Sequence, residues 1–335
     1  MKSYTATAPS NIAFLKYWGK QSKSMQWPAG NSLSMTLSGS LSETTVRLIE
    51  GSEDQIFFNK SKLPVLDKKI LSQLDLIRKQ VGSNKHFEVI TKNTFPDSCG
   101  IASSASGMCA LTIATFAALL DANSFTELSA AGYDREKLAH FSRMGSGSAC
   151  RSMFGGYVSW YKGQTEKDQK IVQEFSKDHL ELCDLIFVLS SEKKEISSTE
   201  AHDAAWSSPL FAPRLAGLSE RHNLLLDAIS KRDFTRMGLL IEQDSIEMHS
   251  IIMTSKPPIN YWHKNTSNFI RWVRTQRELG NFEAYTTIDA GPNVHLICKP
   301  KDKEKIIESS KSLFQCEDII EDMVGTGPTL ASKKV

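Results

Sequence analysis

Two charged residues stand where their side chains could do acid–base chemistry. Asp289 follows an apolar run at 284–288 and precedes a Gly-Pro turn at 291–292. An aspartate at such a position is commonly only a turn residue, but a strand end could also hold its carboxylate at the rim of a cleft as a base. Lys16 lies in a mostly apolar segment, so either its stem covers the surface or its ammonium is buried against a carboxylate. These residues are the first catalytic candidates.

A third candidate is Arg151, which follows a Gly-Ser-Gly-Ser-Ala-Cys run at 145–150. The run could be a flexible turn with a surface arginine behind it. It could equally offer hydroxyls and backbone N–H groups to an anion, with the guanidinium as a bidentate clamp for a carboxylate or a phosphate. The residues alone leave both interpretations open.

A phosphate site is indicated at 95–107, between a strand-like segment at 86–91 and an apolar helix predicted over 108–120. The loop carries Pro and Gly, and the helix start carries three serines. Free N–H groups at a helix start bind anions, and small side chains let a phosphate approach. The alternative is an ordinary serine N-cap before a core helix.

The hydrophobic pattern predicts a scaffold of mixed helices and strands for these segments. Helices are expected over 66–81, 134–144, two stretches within 215–248, and 302–314. Strands are expected over 4–9, 43–49, 55–58, 157–160, 185–189, 284–288 and 294–298, and a surface connection over 162–180. Because strands and helices alternate without a simple βαβ period, the expected fold class is α+β with mixed or antiparallel sheets.

Composition narrows the class of protein. The 335 residues are 40% hydrophobic and 23% charged, with a net charge of +2, which is ordinary for a globular protein. Without a basic block or an acidic tail, nucleic acid is not expected as a partner. No apolar run is expected to reach the length of a membrane span, and the N-terminus lacks a signal-peptide core. Six scattered cysteines without a Cys-x-x-Cys pair indicate reduced thiols and a cytoplasmic location.

The order of the polar and glycine-rich segments resembles the mevalonate diphosphate decarboxylase family of the GHMP kinase superfamily. The matching stretches extend over most of the chain and lie at 8–13, 16–20, 31–34, 96–107, 145–156, 197–200 and 289–293. The Lys-Tyr-Trp-Gly-Lys run at 16–20 and the Gly-Ser-Gly-Ser-Ala-Cys-Arg-Ser run at 145–152 are typical of this branch. The Pro-x-x-x-Gly-x-x-Ser-Ser-Ala loop is shared by the whole superfamily.

The resemblance implies a GHMP-kinase-like, two-lobed α+β fold. The N-terminal part would be similar to ribosomal protein S5 domain 2 and the C-terminal part would be ferredoxin-like, with the active site in the cleft between them. We therefore expect an N-terminal GHMP kinase domain with the ATP phosphate loop over 1–183 and a C-terminal GHMP kinase domain over 184–335.

The implied reaction is the ATP-dependent decarboxylation of mevalonate 5-diphosphate to isopentenyl diphosphate, in the mevalonate pathway of isoprenoid biosynthesis. The 3-hydroxyl is phosphorylated, and phosphate and carbon dioxide then leave, with ADP as the other product. By resemblance, Asp289 orients or deprotonates the 3-hydroxyl, Lys16 pairs with Asp289, and Arg151 lies near the substrate carboxylate. The positions matched to substrate binding are Tyr17, Lys20, Ser146, Ser148, Arg151 and Ser198.

ATP and Mg²⁺ are implied as cofactors, with magnesium held through the ATP phosphates and its protein ligands unknown. The positions matched to the nucleotide phosphates are Pro96, Gly100, Ala102, Ser103, Ser104, Ala105, Ser106, Gly107 and Ser198. The expected partners are small-molecule substrates, neither nucleic acid nor a membrane is expected, and a homodimer is expected only because the family is often dimeric.

Some positions depart from the family pattern. Asp97 and Cys99 stand where small neutral residues are usual, Ala201 and His202 where Gly-Met is more frequent, and Met144 where a polar residue is usual. These departures concern the substrate more than the fold. The open alternatives are a decarboxylase of mevalonate 5-phosphate, a mevalonate 3-kinase, and, from another class, a non-catalytic nucleotide or metabolite sensor.

Overall fold

The computed structural model describes residues 2–59, 61–62, 67–95, 103–190, 195–311, 313–314 and 316–334. The strands are β1 (Lys2–Leu15), β2 (Lys20–Ser22), β3 (Trp27–Pro28), β4 (Ser32–Ile49), β5 (Gln55–Phe58), β6 (Ser61–Lys62), β7 (His86–Asn93), β8 (Tyr157–Tyr161), β9 (Lys170–Phe175), β10 (Cys183–Val188), β11 (Ala284–Thr287), β12 (Val294–Cys298), β13 (Asp318–Met323) and β14 (Thr329–Lys334). The helices are α1 (Lys68–Val81), α2 (Ser103–Leu120), α3 (Phe125–Ala130), α4 (Arg135–Gly145), α5 (Ser198–Ala204), α6 (Phe211–Ser230), α7 (Phe234–Met253), α8 (Thr266–Glu278) and α9 (Lys303–Lys311). This mixture is the α+β class that the sequence predicts.

The larger sheet of the described residues has eight strands and is built on two long ones, β1 and β4. Its order is β14-β1-β4-β7-β5-β6, with β8 paired to β4 and β9 to β8. The β5–β7 pair is parallel, and the other pairs are antiparallel. The register of β1 against β4 shifts between Pro9 and Asn11 and again between Ala13 and Leu15. Such irregularities bend a strand and re-aim its side chains, here just before Lys16.

Helix α2 fills the core beside this sheet. It is apolar on all sides and packs with residues of β1, β4, α1 and α4. By length and composition α2 could cross a membrane, whereas the sequence analysis expects no segment of that length. However, 72% of α2 is buried inside the protein. A helix that is apolar all round and buried in protein is a core helix, and α2 has that role here.

The smaller sheet has the order β11-β12-β10-β13 among the described residues, with antiparallel pairs throughout. One face packs with α6, α7 and the ends of β1 and β4, in a cluster that includes Phe14 and Ile297. The other face packs against α8 and α9 through residues such as Phe269. The ends of strands from both sheets therefore meet where Lys16 leaves β1 and Asp289 follows β11.

The structure corrects several expectations about the elements. The segment 162–180, expected as a surface connection, contains β9, which extends the larger sheet beside β8. The pattern did not indicate α8, β13 or β14, and it gave β1 and β4 too few residues. Most of β14 is exposed and polar, so it carries little hydrophobic signal. Because β14 pairs with β1, the C-terminal end of the described chain returns to the larger sheet, and the domain division at 183–184 stays a prediction.

Candidate active site

Lys16 and Asp289 form an ion pair at the junction of the two sheets. Lys16 follows the last residue of β1, and Asp289 comes two residues after the end of β11. The Lys16 Nζ donates to Asp289 Oδ1 over 2.5 Å. The Lys16 side chain is 2% exposed and that of Asp289 is 23% exposed, so the carboxylate is held from inside and still accessible to a ligand. Of the two interpretations of Lys16, the structure shows the buried, paired one.

The environment of Asp289 keeps its carboxyl group ionised. Burial raises the pKa of Asp289, but the charges of Lys16, His295 and Arg151 outweigh that effect and hold the pKa below its ordinary value of 3.8. Burial of His295 lowers the pKa of its ring. The carboxylate of Asp184, which lies 2.7 Å from the His295 Nδ1, has the opposite and larger effect, so the pKa is raised overall. A carboxylate that stays charged near neutral pH is a suitable proton acceptor for a nearby hydroxyl.

Arg151 is buried and fixed by neutral groups. It belongs to a short 3-10 helix, Gly147–Met153, and is 2% exposed. Its Nε donates to Ser34 Oγ (3.0 Å), its Nη1 to Ser32 Oγ (2.7 Å) and its Nη2 to Asn11 Oδ1 (3.2 Å). Within the described part of the chain, no carboxylate lies within 4.0 Å of these nitrogens. The three partners therefore orient the guanidinium without cancelling its charge, which suits the binding of an anionic ligand.

A cavity of about 500 Å³ brings together most of the residues that the sequence assigns to substrate binding. Its lining includes five of them, Tyr17, Lys20, Ser146, Ser148 and Ser198. Lys16, Arg151 and Asp289 do not line it. They adjoin it through the chain, because Lys16 precedes Tyr17 and Arg151 shares a short helix with Ser148. The ion pair and Arg151 are therefore connected to the cavity wall by short stretches of chain.

Three basic side chains are among the cavity residues that the sequence does not assign to the site. Lys68 and Lys69, in the first turn of α1, line it together with His202 of α5. The His202 ring lies 4.7 Å from that of Tyr17 and 4.4 Å from that of Trp18. The helical pattern predicts α1 but cannot show which element its first turn faces. His202 stands at a position that departs from the family pattern. No acidic residue is among the described residues that line the cavity, so its lysines favour an anion.

Tyr17 needs a glycine beside it to reach its place in the cavity wall. Its hydroxyl donates to Gln26 O over 3.0 Å, and its ring lies 4.9 Å from that of Trp160. Burial raises the pKa of the Tyr17 hydroxyl, which therefore stays protonated. A Cβ atom on Gly147 would lie 2.4 Å from the Tyr17 Cε1. A side chain at 147 would therefore displace the Tyr17 ring.

The start of α2 meets the cavity through Ser104, whose Oγ lies 3.1 Å from Ser146 Oγ. Of the residues matched to the ATP phosphates, Ser103 and Gly107 also lie in the first turns of α2, and Ala105 is buried. Ser106 is buried too, and its Oγ lies 2.7 Å from that of Ser42, so this side chain supports the helix from the sheet side. Pro96, Gly100 and Ala102, with the unusual Asp97 and Cys99, lie outside the described residues.

Two family profiles match the chain. The diphosphomevalonate decarboxylase-like N-terminal domain matches residues 8–171, and the mevalonate 5-diphosphate decarboxylase C-terminal domain matches residues 184–334. The diphosphomevalonate decarboxylase of Candida albicans is 35% identical over 327 residues, which cover 92% of this chain and 87% of that protein. The diphosphomevalonate decarboxylase of Saccharomyces cerevisiae is 32% identical over 94% of this chain and 83% of its own length.

Solved structures give the same result. MDDEF in complex with MVAPP, AMPPCP and magnesium matches with a TM-score of 0.90 at 30% identity, covering 99% of this chain and 100% of that one. Mevalonate diphosphate decarboxylase from Staphylococcus aureus matches with a TM-score of 0.89 at 31% identity, covering 98% of each chain. The fold is therefore of the GHMP kinase type. The chain belongs to the diphosphomevalonate decarboxylase family.

Proposed function

We propose that this chain catalyses the ATP-dependent decarboxylation of mevalonate 5-diphosphate, with isopentenyl diphosphate, ADP, phosphate and carbon dioxide as products. Membership of the family supports the reaction. The observation that carries it is the Lys16–Asp289 ion pair, together with a buried Arg151 whose described partners are neutral. The reaction needs a proton acceptor for a hydroxyl and a cation for a carboxylate, and these residues supply both.

Asp289 is the proposed proton acceptor. A tertiary alcohol is a poor nucleophile, so a nearby carboxylate orients the 3-hydroxyl and takes its proton as the phosphoryl group is transferred. Lys16 keeps that carboxylate charged and fixes its direction. When phosphate leaves, the tertiary carbon becomes electron-deficient. The electron pair of the bond to the carboxyl carbon then forms the new double bond, and carbon dioxide departs.

Arg151 is the proposed partner of the substrate carboxylate. Its guanidinium is fixed by Ser32, Ser34 and Asn11, so little conformational freedom is lost when a ligand binds. The charges of Arg151 and Asp289 also influence each other, which supports a single ligand that reaches both residues. Arg151 would hold the carboxylate in the orientation from which carbon dioxide leaves.

The lysine-lined cavity is the proposed site of the 5-diphosphate. Burial lowers the pKa of Lys20, and the nearby charge of Lys69 lowers it further, although Asp203 acts in the opposite direction. These cations are crowded, and a bound diphosphate would relieve the repulsion between them. The hydroxyls of Ser146 and Ser198 line the same cavity and supply hydrogen-bond donors.

ATP is the proposed second substrate, with its phosphates at the start of α2. The N-terminus of a long helix attracts phosphate, and Ser104 joins this helix to the substrate side through Ser146. Magnesium bound with ATP would neutralise charge on the phosphates and the leaving oxygen. The oxygens of Asp289, Ser104 and Ser146 are of the kind that Mg²⁺ prefers. No group of three or more His, Cys, Asp or Glu side chains suited to a metal occurs in the described residues.

The experiment that tests this proposal compares substrates. The protein is incubated with ATP, magnesium and, separately, mevalonate, mevalonate 5-phosphate or mevalonate 5-diphosphate, and ADP and carbon dioxide are both measured. We expect turnover with the diphosphate and one carbon dioxide per ADP. Turnover with the monophosphate alone would show that mevalonate 5-phosphate, and not the diphosphate, is the substrate. Formation of ADP without carbon dioxide would indicate a 3-kinase. Binding without turnover would indicate a sensor.

We also infer that the chain divides into domains at 183–184. One family profile ends at residue 171 and the other begins at residue 184, which supports this division. Because β14 pairs with β1, the two parts should stay associated after the connection between them is cut. Limited proteolysis followed by size-exclusion chromatography tests this expectation, and fragments that separate without denaturant would contradict it.

A homodimer and a cytoplasmic location are further proposals that rest on the family and the cysteines. The free cysteines of the described residues are Cys109, Cys150, Cys183, Cys298 and Cys316, and free thiols suit a reducing compartment. Sedimentation equilibrium tests the oligomeric state, and cell fractionation tests the location.

A further inference from the structure

Helix α7 contacts the main chain on both sides of the Lys16–Asp289 ion pair. The Asp244 Oδ2 accepts a hydrogen bond from the Lys16 backbone N–H over 2.8 Å. The next residue of the helix, Ser245, accepts one from the Ile288 N–H over 2.9 Å through its Oγ. Ile288 precedes Asp289, so two adjacent side chains of one helix hold the backbone at Lys16 and at the residue before Asp289.

The Lys16 side of this arrangement is firmly built. Arg214 Nη1 lies 2.9 Å from Asp244 Oδ1, and Arg214 Nη2 donates to the Lys16 carbonyl over 3.4 Å. Arg221 Nη1 donates to Asp244 Oδ1 over 3.0 Å. Arg214 and Asp244 are fully buried. The peptide groups on both sides of the Lys16 Cα are therefore fixed by charged groups, and charge-assisted hydrogen bonds are the stronger kind.

The Asp289 side is held by neutral side chains of α7 rather than by charged ones. The last register pair between β11 and β12 is Thr287 with His295, so Ile288 lies beyond the strand ladder. Ser245 Oγ receives the Ile288 N–H, and His249 Nε2 lies 3.3 Å from the Ile288 carbonyl oxygen. Burial lowers the pKa of His249 to about 3. The ring is thus neutral, and it can hold the carbonyl only as an Nε2–H donor.

We propose that Ser245 is a positioning residue that sets the separation of Lys16 and Asp289. It acts through the Ile288 N–H and contacts neither the ammonium nor the carboxylate. Because Asp244 holds Lys16 from the same turn of α7, the helix works as a rigid spacer between a strand end of each sheet. This inference rests on the proposed function, in which the ion pair is the reaction centre.

Ser245→Ala tests the proposal in the full-length protein. Removing the hydroxyl frees the Ile288 N–H and lets Asp289 drift from Lys16. We expect kcat for mevalonate 5-diphosphate to fall roughly 10- to 100-fold, the loss typical of a misplaced catalytic group. KM and the Kd for ATP should stay within about twofold, because Arg151, the lysine-lined cavity and the start of α2, which are proposed to bind the charged groups of the ligands, are untouched. Ser245→Cys keeps a weak acceptor of similar size and should give an intermediate kcat.

The pH profile gives a readout that a merely structural role would not move. Lys16, His295 and Arg151 hold the pKa of Asp289 down against burial, and a longer distance from Lys16 weakens the main lowering effect. The acid limb of kcat/KM should therefore move to higher pH in Ser245→Ala. In the Asp289→Asn background, Ser245→Ala should cost almost nothing more, because two residues that act through one group are not additive.

The control is Ser250→Ala. Ser250 lies on the same helix, and its Oγ donates to Ile246 O within α7 (2.9 Å), so kcat should not change. The proposal would be overturned if Ser245→Ala kept the wild-type kcat and pH profile. It would also be overturned if Ser245→Ala lowered kcat by the same factor in the Asp289→Asn background as in wild type. If the wild-type protein does not turn over mevalonate 5-diphosphate, the proposed function fails instead. In that case, the pKa of Asp289 can still be measured by NMR titration of ¹³C-labelled aspartate, with the Asp289 signal assigned by its loss in Asp289→Asn. A higher pKa in Ser245→Ala supports the proposal, and an unchanged pKa contradicts it.

Discussion

The Lys16 Nζ lies 2.5 Å from the Asp289 Oδ1, although the two residues are 273 positions apart in the sequence. One stands at the end of a strand of the larger sheet and the other beyond a strand end of the smaller sheet. The ammonium is almost fully buried, and the carboxylate is partly exposed. An unpaired buried ammonium would be costly, so the contact both stabilises the junction of the sheets and presents a charged carboxylate to a ligand.

Lys16→Met should shift the acid limb of kcat/KM to higher pH. Asp289 is buried enough that its pKa would rise without a counter-charge, and Lys16 is the first of the charges that lower it. In wild type the pKa of Asp289 is depressed, so activity persists at acidic pH. In the variant, Asp289 becomes protonated at a higher pH, so activity is lost sooner as the pH falls. The measurement is a pH–rate profile, and an unchanged acid limb would show that Lys16 does not control Asp289.

Arg151→Lys should damage use of the substrate and spare the nucleotide. A lysine cannot reproduce the guanidinium contacts to Ser32, Ser34 and Asn11 or present a planar fork to a carboxylate. A charged hydrogen bond is worth about 1.5 to 3 kcal/mol, so we expect kcat/KM for mevalonate 5-diphosphate to fall roughly 10- to 100-fold. The Kd for ATP, measured by calorimetry, should change by less than about twofold. Weaker ATP binding with normal use of the acceptor would instead place Arg151 at the nucleotide.

Gly147→Ala should distort the cavity wall. The new Cβ would lie 2.4 Å from the Tyr17 Cε1, so the ring must move, at a cost of about 1 to 3 kcal/mol in stability. The KM for the substrate should rise because Tyr17 lines the cavity proposed for its diphosphate. The matched control is Gly217→Ala in the interior of α6, where a Cβ meets nothing within 4 Å. It should stabilise the protein by about 0.5 to 1 kcal/mol and leave KM unchanged.

Glu166→Gln should destabilise the protein near neutral pH and lose that effect in acid. Burial raises the pKa of Glu166, but hydrogen bonds from His140, Arg143 and Trp27 lower it overall from 4.5 to about 2. A carboxylate with a depressed pKa contributes stability that is fully present above pH 4.5 and disappears as the pH falls through about 2. Glu166 is 42% exposed, so water screens the interaction and the loss should be only about 1 kcal/mol.

Urea unfolding of Glu166→Gln between pH 3 and pH 7 checks this expectation, with the exposed Glu53→Gln as a control. The difference in unfolding free energy between wild type and Glu166→Gln should shrink toward the acid end. A difference that is constant across this range would mean that the charge of Glu166 is not its cause.

The local elements of the fold could be predicted where apolar residues recur at a clear period. The helix predicted over 66–81 is α1, ended by Gly82 with its left-handed φ of 67°. The two helical patterns within 215–248 are parts of α6 and α7. Strands such as β9 and β14 were missed because they are short or polar, and only pairing with a distant strand makes them part of a sheet.

The candidate site shows the same division between local and long-range information. Lys16, Arg151 and Asp289 could be named because their segments resemble a family, and the structure brings them to one junction. The places of Lys68 and Ser245 could not be foreseen, because each depends on how a helix packs against an element far away in sequence. Their own segments carry only an ordinary amphipathic pattern.

Turnover of Asp289→Asn is the most direct test of the claim that this carboxylate accepts the proton of the 3-hydroxyl. The asparagine keeps the size of the side chain and removes the charge and the basicity. We expect kcat for mevalonate 5-diphosphate to fall by about 100-fold to 10,000-fold, with carbon dioxide and ADP falling together. The Kd for ATP should remain within about twofold of wild type. A variant that releases carbon dioxide and ADP at a near wild-type rate would contradict the account.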